Sequence, residues 1–503
     1  MEIINTVAAW FLKKRIHQIG LFVENPHEVQ HEWFRTLIAR AIDTDWGRKY
    51  NYADIVDYED FCRKVPISYY DDLKPFIEQA RSGDYDVLWP GRIRWFAKSS
   101  GTTNDKSKFI PVSEESLEEC HYKGGKDMLA FYYRNFPDST LLNGKAIGVA
   151  GSSHPDQKGD QDSFVGDLSA ILMNNLPLWA HITKTPQLSV ALMENWDEKV
   201  NLIASHTIND DVRLISGVPS WMLVILRKVL EMSGKQYIND VWPNFELVVH
   251  GGVSFKPYQK QFAALFNRPV NYLEVYNASE GFFGVQDSPD RDDMLLMLDY
   301  GVFYEFITLE DLEAQNGNTL RVSEVSLGVN YAMIISTNAG LWRYVIGDTV
   351  VFTSLKPYRI KITGRTSSYI NVVGEELMVN NADKAIENAC SHTHSVIKEY
   401  TAAPFYDENG TPIRHQWLIE FDVAPADLEY FCHVFDTSLR AANSDYEAKR
   451  YNDMILQAPM LTVLSENTFL RWLKAKGRVG GQYKIPRLSN SRQILEEILS
   501  YNA

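Results

Sequence analysis

Between residues 145 and 278 short apolar runs alternate with helical patterns, and that alternation limits what this chain can fold into. KAIGVAG, VRLISGV, FELVVHG and VNYLEVY are short apolar runs that give way to glycine or turn residues, as buried strands do. Residues 187–208, 220–232 and 257–266 carry apolar positions at helical spacing. Strand–helix alternation of this kind predicts an α/β domain with a mostly parallel sheet. From residue 294 the pattern changes to longer strand-like segments, MLLMLDYGVFYEFI, YAMIIST and YRIKIT. These predict an antiparallel or barrel-like subdomain. The strand pattern runs out at 363–365, so the expected domains are 1–363 and 364–503, the second about 140 residues long, a modest α+β unit.

The 503 residues are too many for one ordinary core. A hydrophobic fraction of 45% with 23% charged residues matches a soluble globular protein. The formal charge of −15 argues against nucleic acid or an anionic membrane as a general partner. Cys62, Cys120, Cys390 and Cys432 lie far apart without metal-site spacing, which favours a reducing compartment. At the N-terminus the basic residues Lys13, Lys14 and Arg15 follow the apolar run instead of preceding it. That order does not suit a signal peptide, and the expected location is cytoplasmic.

Against this acidic background, FAKSSGTTNDKSKFIP concentrates hydroxyls and lysines between two short strands. A turn rich in Ser, Thr and backbone N–H groups, with Lys108 nearby, has the chemistry a triphosphate needs. Gly101 would let the backbone approach the ligand. The same letters also suit a plain polar hairpin, and the helix-opening GxxxxGK[ST] spacing is absent. Three later turns offer further nucleotide contacts. Gly251 and Gly252 in HGGVSF expose main-chain groups, Tyr276 and Glu280 lie in YNASEGFFG, and Asp348 lies in GLWRYVIGDTV. An aromatic ring suits a base, a Glu suits Mg²⁺ held on phosphates, and an Asp suits ribose hydroxyls. Each taken alone is equally an ordinary turn.

In order along the chain, these motifs resemble those of the Gretchen Hagen acyl acid–amido synthetases, an auxin-responsive family of adenylate-forming enzymes. The likeness rests on Ser99-Ser100-Gly101-Thr102-Thr103, Tyr276-x-x-Ser279-Glu280-x-x-Phe283-Gly284, Gly340-x-x-Arg343-Tyr344-x-x-Gly347-Asp348 and the C-terminal GGQYKIPR. The resemblance implies a large N-terminal α/β domain, a small mobile C-terminal domain, and ATP with Mg²⁺ as cofactors. It implies that a small carboxylic acid is adenylated and then joined to an amino acid amine. Ser99, Ser100, Thr102 and Thr103 would hold phosphates with Lys108, and Gly251, Gly252 and Tyr276 the base. Asp348 and Arg365 would contact ribose, Glu280 the magnesium, and Lys484 the α-phosphate and carboxylate oxygens. A CoA ligase on the same scaffold and an idle nucleotide-binding protein are the alternatives. Val345 stands where plant members often carry an arginine, and Thr366, Ser367 and Ser368 stand where a charged hinge residue is expected. Trp179, Trp221, Met222 and Phe255 fit an acyl pocket or an ordinary core, and His154 fits a lid or a plain surface loop.

Overall fold

The structure is a computed structural model. It describes residues 14–502 apart from 100–107, 157–161, 177–182, 253, 254, 256, 257, 367, 371, 372, 374, 376, 407–411, 451–455 and 477–484. Two compact units emerge. The first comprises Met1–Val253, Gln261–Ile346 and Val350–Lys361; the second comprises Ile362–Ala503 with Ser254–Lys260 and Gly347–Thr349.

In the first unit β1 (Trp95–Ser99) and β2 (Lys108–Val112) pair antiparallel, with Ser99 opposite Lys108. β3 (Lys145–Gly148) belongs to a second, larger sheet, while β4 (Ser153–Pro155) and β5 (Phe164–Gly166) return to the first. β6 (Lys184–Thr185), β7 (Val212–Gly217), β8 (Leu247–Gly251) and β9 (Asn271–Ala278) complete a parallel run in the order β6-β3-β7-β8-β9. Residues 212–215 and 247–250 are buried without a break. Strands covered on both faces require such continuous burial, and it explains the unalternating apolar letters. The helix Pro219–Ser233 packs beside them, opened by Pro219 and closed by Gly234 in the left-handed region (φ 65°).

The chain then reverses through β10 (Gly281–Val285), β11 (Met294–Leu296), β12 (Val302–Thr308), β13 (Leu320–Arg321), β14 (Asn330–Thr337), β15 (Tyr344–Leu355) and β16 (Tyr358–Arg365). These strands have the antiparallel character read from the sequence. They do not form a separate sheet: among the described residues all of them continue the parallel run as one sheet of twelve strands. The helical stretch expected over 187–208 is split into Leu188–Ala191 and Trp196–Thr207, because the Asn195 side chain accepts the Glu198 N–H and starts a new helix. Earlier in the chain Ser113 caps a helix through the Ser116 N–H, and residues Leu117–Tyr122 wind as π-helix before the α-helix Lys123–Asn135. Such widened turns recur at functional sites.

A buried ion pair fastens the N-terminal helices of this unit to its sheet. Arg343 donates to both carboxylate oxygens of Glu305 at 2.8–3.1 Å, to Thr319 Oγ1 at 2.7 Å and to the carbonyls of Val65 and Cys62 at 2.8 and 3.2 Å. Tyr58 and Thr319 hydroxyls complete the shell of Glu305 at 2.9 and 2.7 Å.

In the second unit β17 (Tyr369–Ile370) pairs with β18 (Leu377–Met378), and β19 (Val396–Tyr406), β20 (Pro412–Val423) and β21 (Met460–Val463) form a sheet in that order. Alternation along β20 divides the unit into two cores. Trp417 and Ile419 face the helices Val379–Thr393 and Leu428–Ala442, packing with Ile386, Phe431 and Phe435. Leu418 between them points the other way, toward Phe469, Trp472, Leu495 and Ile498. His415, also on β20, holds the Glu375 carboxylate at 2.9 Å with both side chains fully buried.

Candidate functional site

β8 and β9 run parallel with Gly251 beside Val275, so their carboxyl ends lie on one edge of the sheet. Open sheets bind ligands at that edge. Gly251 is required there because a Cβ would come within 2.4 Å of the Val275 carbonyl oxygen. Gly252 follows at φ 80°, a turn conformation that glycine adopts without strain. One strand over, β9 turns into β10 through Ser279 and Glu280, with Ala278 opposite Gly281. This tight hairpin holds the half-buried Glu280 at its tip. Four of the expected site residues, Gly251, Gly252, Tyr276 and Glu280, are therefore gathered by adjacent strand ends. Tyr276 is only 4% exposed and packs edge-to-face on Phe283 at 5.0 Å, so packing is one established duty of that ring.

The π-helix lies against this hairpin. Cys120 Sγ accepts the Phe282 N–H at 3.2 Å, and Gly124 lies so near the Phe282 ring that a Cβ would reach it at 2.6 Å. His121 is buried and within hydrogen-bonding reach of Asn277; its Nδ1 has no partner among the described residues. Burial pushes its pKa down to about 4, and that of His250, one residue before Gly251, down to about 3. Both imidazoles are therefore neutral at ordinary pH. Periodicity gave no hint of the π-turn, and a single histidine in an apolar pattern reads as core.

Of the hydroxyl-rich loop, Ser99 is the last residue of β1 and Lys108 the first of β2, its ammonium 5.8 Å over the Tyr70 ring. Ser100, Thr102 and Thr103 lie outside the described residues. At the base of the loop Lys98 interacts electrostatically with Asp167, whose pKa is raised by burial and pulled back by the Ser152 N–H, Lys98 and Lys199. Lys199, buried, donates to the carbonyls of Ala150 at 2.5 Å and Gly151 at 3.3 Å. Desolvation lowers its pKa to about 8. Sequence reasoning missed Asp167 and Lys199; they stand far apart in the chain and match no motif.

The second unit brings Asp348 and Arg365 together as an ion pair at 2.9 Å. Gly347, at φ 90°, keeps the adjacent backbone turned, and its carbonyl accepts the Thr366 N–H at 2.8 Å. Lys484 lies outside the described residues, but the segment after it is anchored firmly. The Ala402 N–H donates to the Arg487 carbonyl at 2.8 Å, the Ser489 N–H to the Ala402 carbonyl at 3.1 Å, and Thr401 Oγ1 to the Pro486 carbonyl at 2.6 Å. The Arg487 guanidinium pairs with Glu399 and stacks 4.3 Å over the Tyr400 ring.

Trp221 and Met222 are buried in the Pro219–Ser233 helix, Trp221 against Trp196 at 4.2 Å, so both serve a core. Trp179 lies outside the described residues, and Phe255 is half-buried. His154 pairs with Glu194 at 3.0 Å, largely exposed. Among the described residues no group of three or more His, Cys, Asp or Glu side chains is gathered for a metal, and no helix is long and apolar enough to cross a membrane.

Family models match most of the chain in order: the GH3 family N-terminal domain over residues 15–270, its central domain over 295–365 and its C-terminal domain over 380–493. Indole-3-acetic acid-amido synthetase GH3.3 of Arabidopsis thaliana is 21% identical over 96% of this chain and 93% of its own length. Jasmonoyl--L-amino acid synthetase JAR6 of Nicotiana attenuata is 24% identical over 97% and 96%. Among solved structures, AtGH3.15 acyl acid amido synthetase in complex with 2,4-DB superposes with a TM-score of 0.79 at 16% identity, covering 98% of this chain and 96% of that one. A 2-hydroxyisobutyryl-CoA ligase superposes at 0.55 and 12% identity, over 94% and 91%.

Proposed function

The chain belongs to the GH3 family, and from that premise we infer that it is an ATP-dependent acyl acid amido synthetase. The observation that supports this is the extent of the likeness: three domains of one family match in order between residues 15 and 493, reaching into both units. In the first step a carboxylate oxygen of a small acid attacks the α-phosphorus of ATP. The bond between α- and β-phosphates breaks, giving acyl-adenylate and pyrophosphate. In the second an amino acid amine attacks the acyl carbon, loses a proton, and displaces AMP.

The first step brings two anions together, so catalysis rests on positioning and charge neutralisation. We assign the phosphates to Ser99, Ser100, Thr102 and Thr103 with Lys108, and the base to the turn at Gly251 and Gly252 with Tyr276. Asp348 takes the ribose hydroxyls while Arg365 holds its carboxylate in place. Lys484 meets the α-phosphate and carboxylate oxygens, a point-charge task suited to lysine. Glu280, a half-buried carboxylate at the tip of a tight hairpin, would hold a phosphate-bound Mg²⁺ through its oxygens. Bound there, the ion would supply neutralisation of phosphate charge. The same reading divides the chain into working domains at 1–363 and 364–503 and places it in the cytoplasm, in keeping with four free cysteines.

Pyrophosphate release measured over a panel of carboxylic acids, with amino acids or CoA supplied separately, tests the assignment. Turnover of at least one acid and an amide product are expected. Release that depends on CoA would replace this reading with the ligase, and silence with every acid would refute both.

A further inference from the structure

We propose that the π-turn Leu117–Tyr122 braces the hairpin that carries Glu280, with Cys120 as the positioning residue; the proposal rests on the synthetase reading above. Two consecutive side chains of the turn meet one rung of that hairpin. Cys120 Sγ accepts the Phe282 N–H at 3.2 Å and lies 3.9 Å from the Phe282 carbonyl oxygen, to which its S–H donates. His121 is within hydrogen-bonding reach of Asn277, the residue opposite Phe282 on β9. Between the two members of this rung the chain has only Ala278, Ser279, Glu280 and Gly281. Fixing the rung therefore leaves the Glu280 backbone little room to move.

The strands alone hold this rung poorly. The β9–β10 register shifts between Phe282 and Gly284, and β11 pairs with β10 at Gly284 and Val285. A bulge interrupts the ladder bonds locally, and the thiol supplies Phe282 with a partner there. The helix side of the brace is anchored independently of the hairpin. Lys123, directly after the turn, donates to the Asp299 carbonyl at 2.6 Å. Asp127 accepts the Arg15 guanidinium at 2.7 and 2.8 Å and the Tyr300 hydroxyl at 2.6 Å. Burial pushes the Cys120 thiol up to about 12, so it keeps the hydrogen it directs at the Phe282 carbonyl. A carboxylate held in place before its ligand arrives has less freedom to lose on binding.

The test follows both the turn and its chemistry. Cys120→Ala, Cys120→Ser, Glu280→Gln and the double variant Cys120→Ala with Glu280→Gln are compared with wild type. Amide hydrogen exchange over residues 277–284 is read without ATP, and the Mg²⁺ titration of acid-dependent pyrophosphate release is read with it. In Cys120→Ala the Phe282 N–H loses its acceptor, and exchange over that segment is expected to quicken by roughly tenfold. Its Mg²⁺ midpoint is expected to rise by about threefold or more, while kcat at saturating Mg²⁺ stays within about twofold. Cys120→Ser keeps a donor and an acceptor and is expected to lie between Cys120→Ala and wild type in both readings. The double variant is expected to shift no further than Glu280→Gln, because the thiol acts through that carboxylate. Cys120→Val, which fills the site without a donor, replaces Cys120→Ala if that variant melts early.

Wild-type exchange in Cys120→Ala, a Mg²⁺ midpoint that moves in Glu280→Gln but not in Cys120→Ala, or shifts that multiply in the double variant each overturn the brace and leave the synthetase reading intact. A Glu280→Gln titration that superimposes on wild type takes the metal role from Glu280 and the positioning role from Cys120 with it. A wild type that releases no pyrophosphate with any acid refutes the synthetase reading, and the exchange measurement then decides whether the thiol braces the turn.

Discussion

Replacing Arg343 with methionine is the severest single test of how the first unit is held together. Arg343 and Glu305 side chains are 2% and 0% exposed, so neither charge has water to fall back on. After Arg343→Met, the Glu305 carboxylate is left with uncharged donors, the Tyr58 and Thr319 hydroxyls and the Cys62 thiol, and the Val65 and Cys62 carbonyls lose their guanidinium donor. Breaking a buried pair from one side costs about 3–5 kcal/mol, because an uncompensated charge is left behind. For a unit of this size that lowers the melting midpoint by roughly 4–7 °C. Removing both charges, as Arg343→Met with Glu305→Leu, should cost much less than the sum of the two single changes, since a well-packed apolar pair is often neutral. Calorimetric melting at a fixed scan rate, run on wild type, both singles and the double, completes the cycle. A single variant within about 1 kcal/mol of wild type, or a double equal to the sum of its singles, would refute the claim that this pair is a coupled bolt.

Asp348→Asn should raise the KM for ATP by roughly tenfold with a smaller effect on kcat, as expected for a lost ribose acceptor in uniform binding; an unchanged KM in steady-state assays sinks that role. Glu280→Gln should shift the Mg²⁺ titration of pyrophosphate release to higher concentration, and a superimposable titration would remove Glu280 from the metal. Gly124→Ala should destabilise by about 1–3 kcal/mol, because the Phe282 ring must move to admit the methyl group; a melting midpoint at or above wild type would contradict the packing. Stability should fall as pH drops from about 6.5 toward about 4, since unfolded imidazoles then bind protons that neutral, buried His121 and His250 do not. His121→Gln should flatten that slope in urea titrations at stepped pH, and an identical slope would show that the histidine does not carry it.

The sequence disclosed the parts whose physics is local. β7 and β8 were legible because strands buried on both faces are written as continuous apolar runs, and the helix Pro219–Ser233 because proline and glycine mark its ends. The turns after β8 and β9, to which the proposed site is assigned, were legible as glycines and polar residues at strand ends. What stayed hidden depends on partners far along the chain. Arg343 reads as part of a nucleotide turn, yet its guanidinium is engaged with Glu305 and with the backbone of residues 62 and 65. Continuity of the parallel and antiparallel strands in one sheet is a matter of hydrogen-bond neighbours, which letters do not record. The ion pair of Asp348 with Arg365 needed a β15–β16 hairpin to fold the two ends together, and the π-turn at 117–122 has no compositional mark.

β19 is the outer strand of its sheet, and residues 486–489 lie along it. The tail thus acts as a cover strip for an otherwise bare β-edge. Shortening the protein to end before Pro486 would strip that cover, together with the core side chains Leu488, Leu495 and Ile498, and leave amide groups open to a second molecule, so a truncated chain should self-associate.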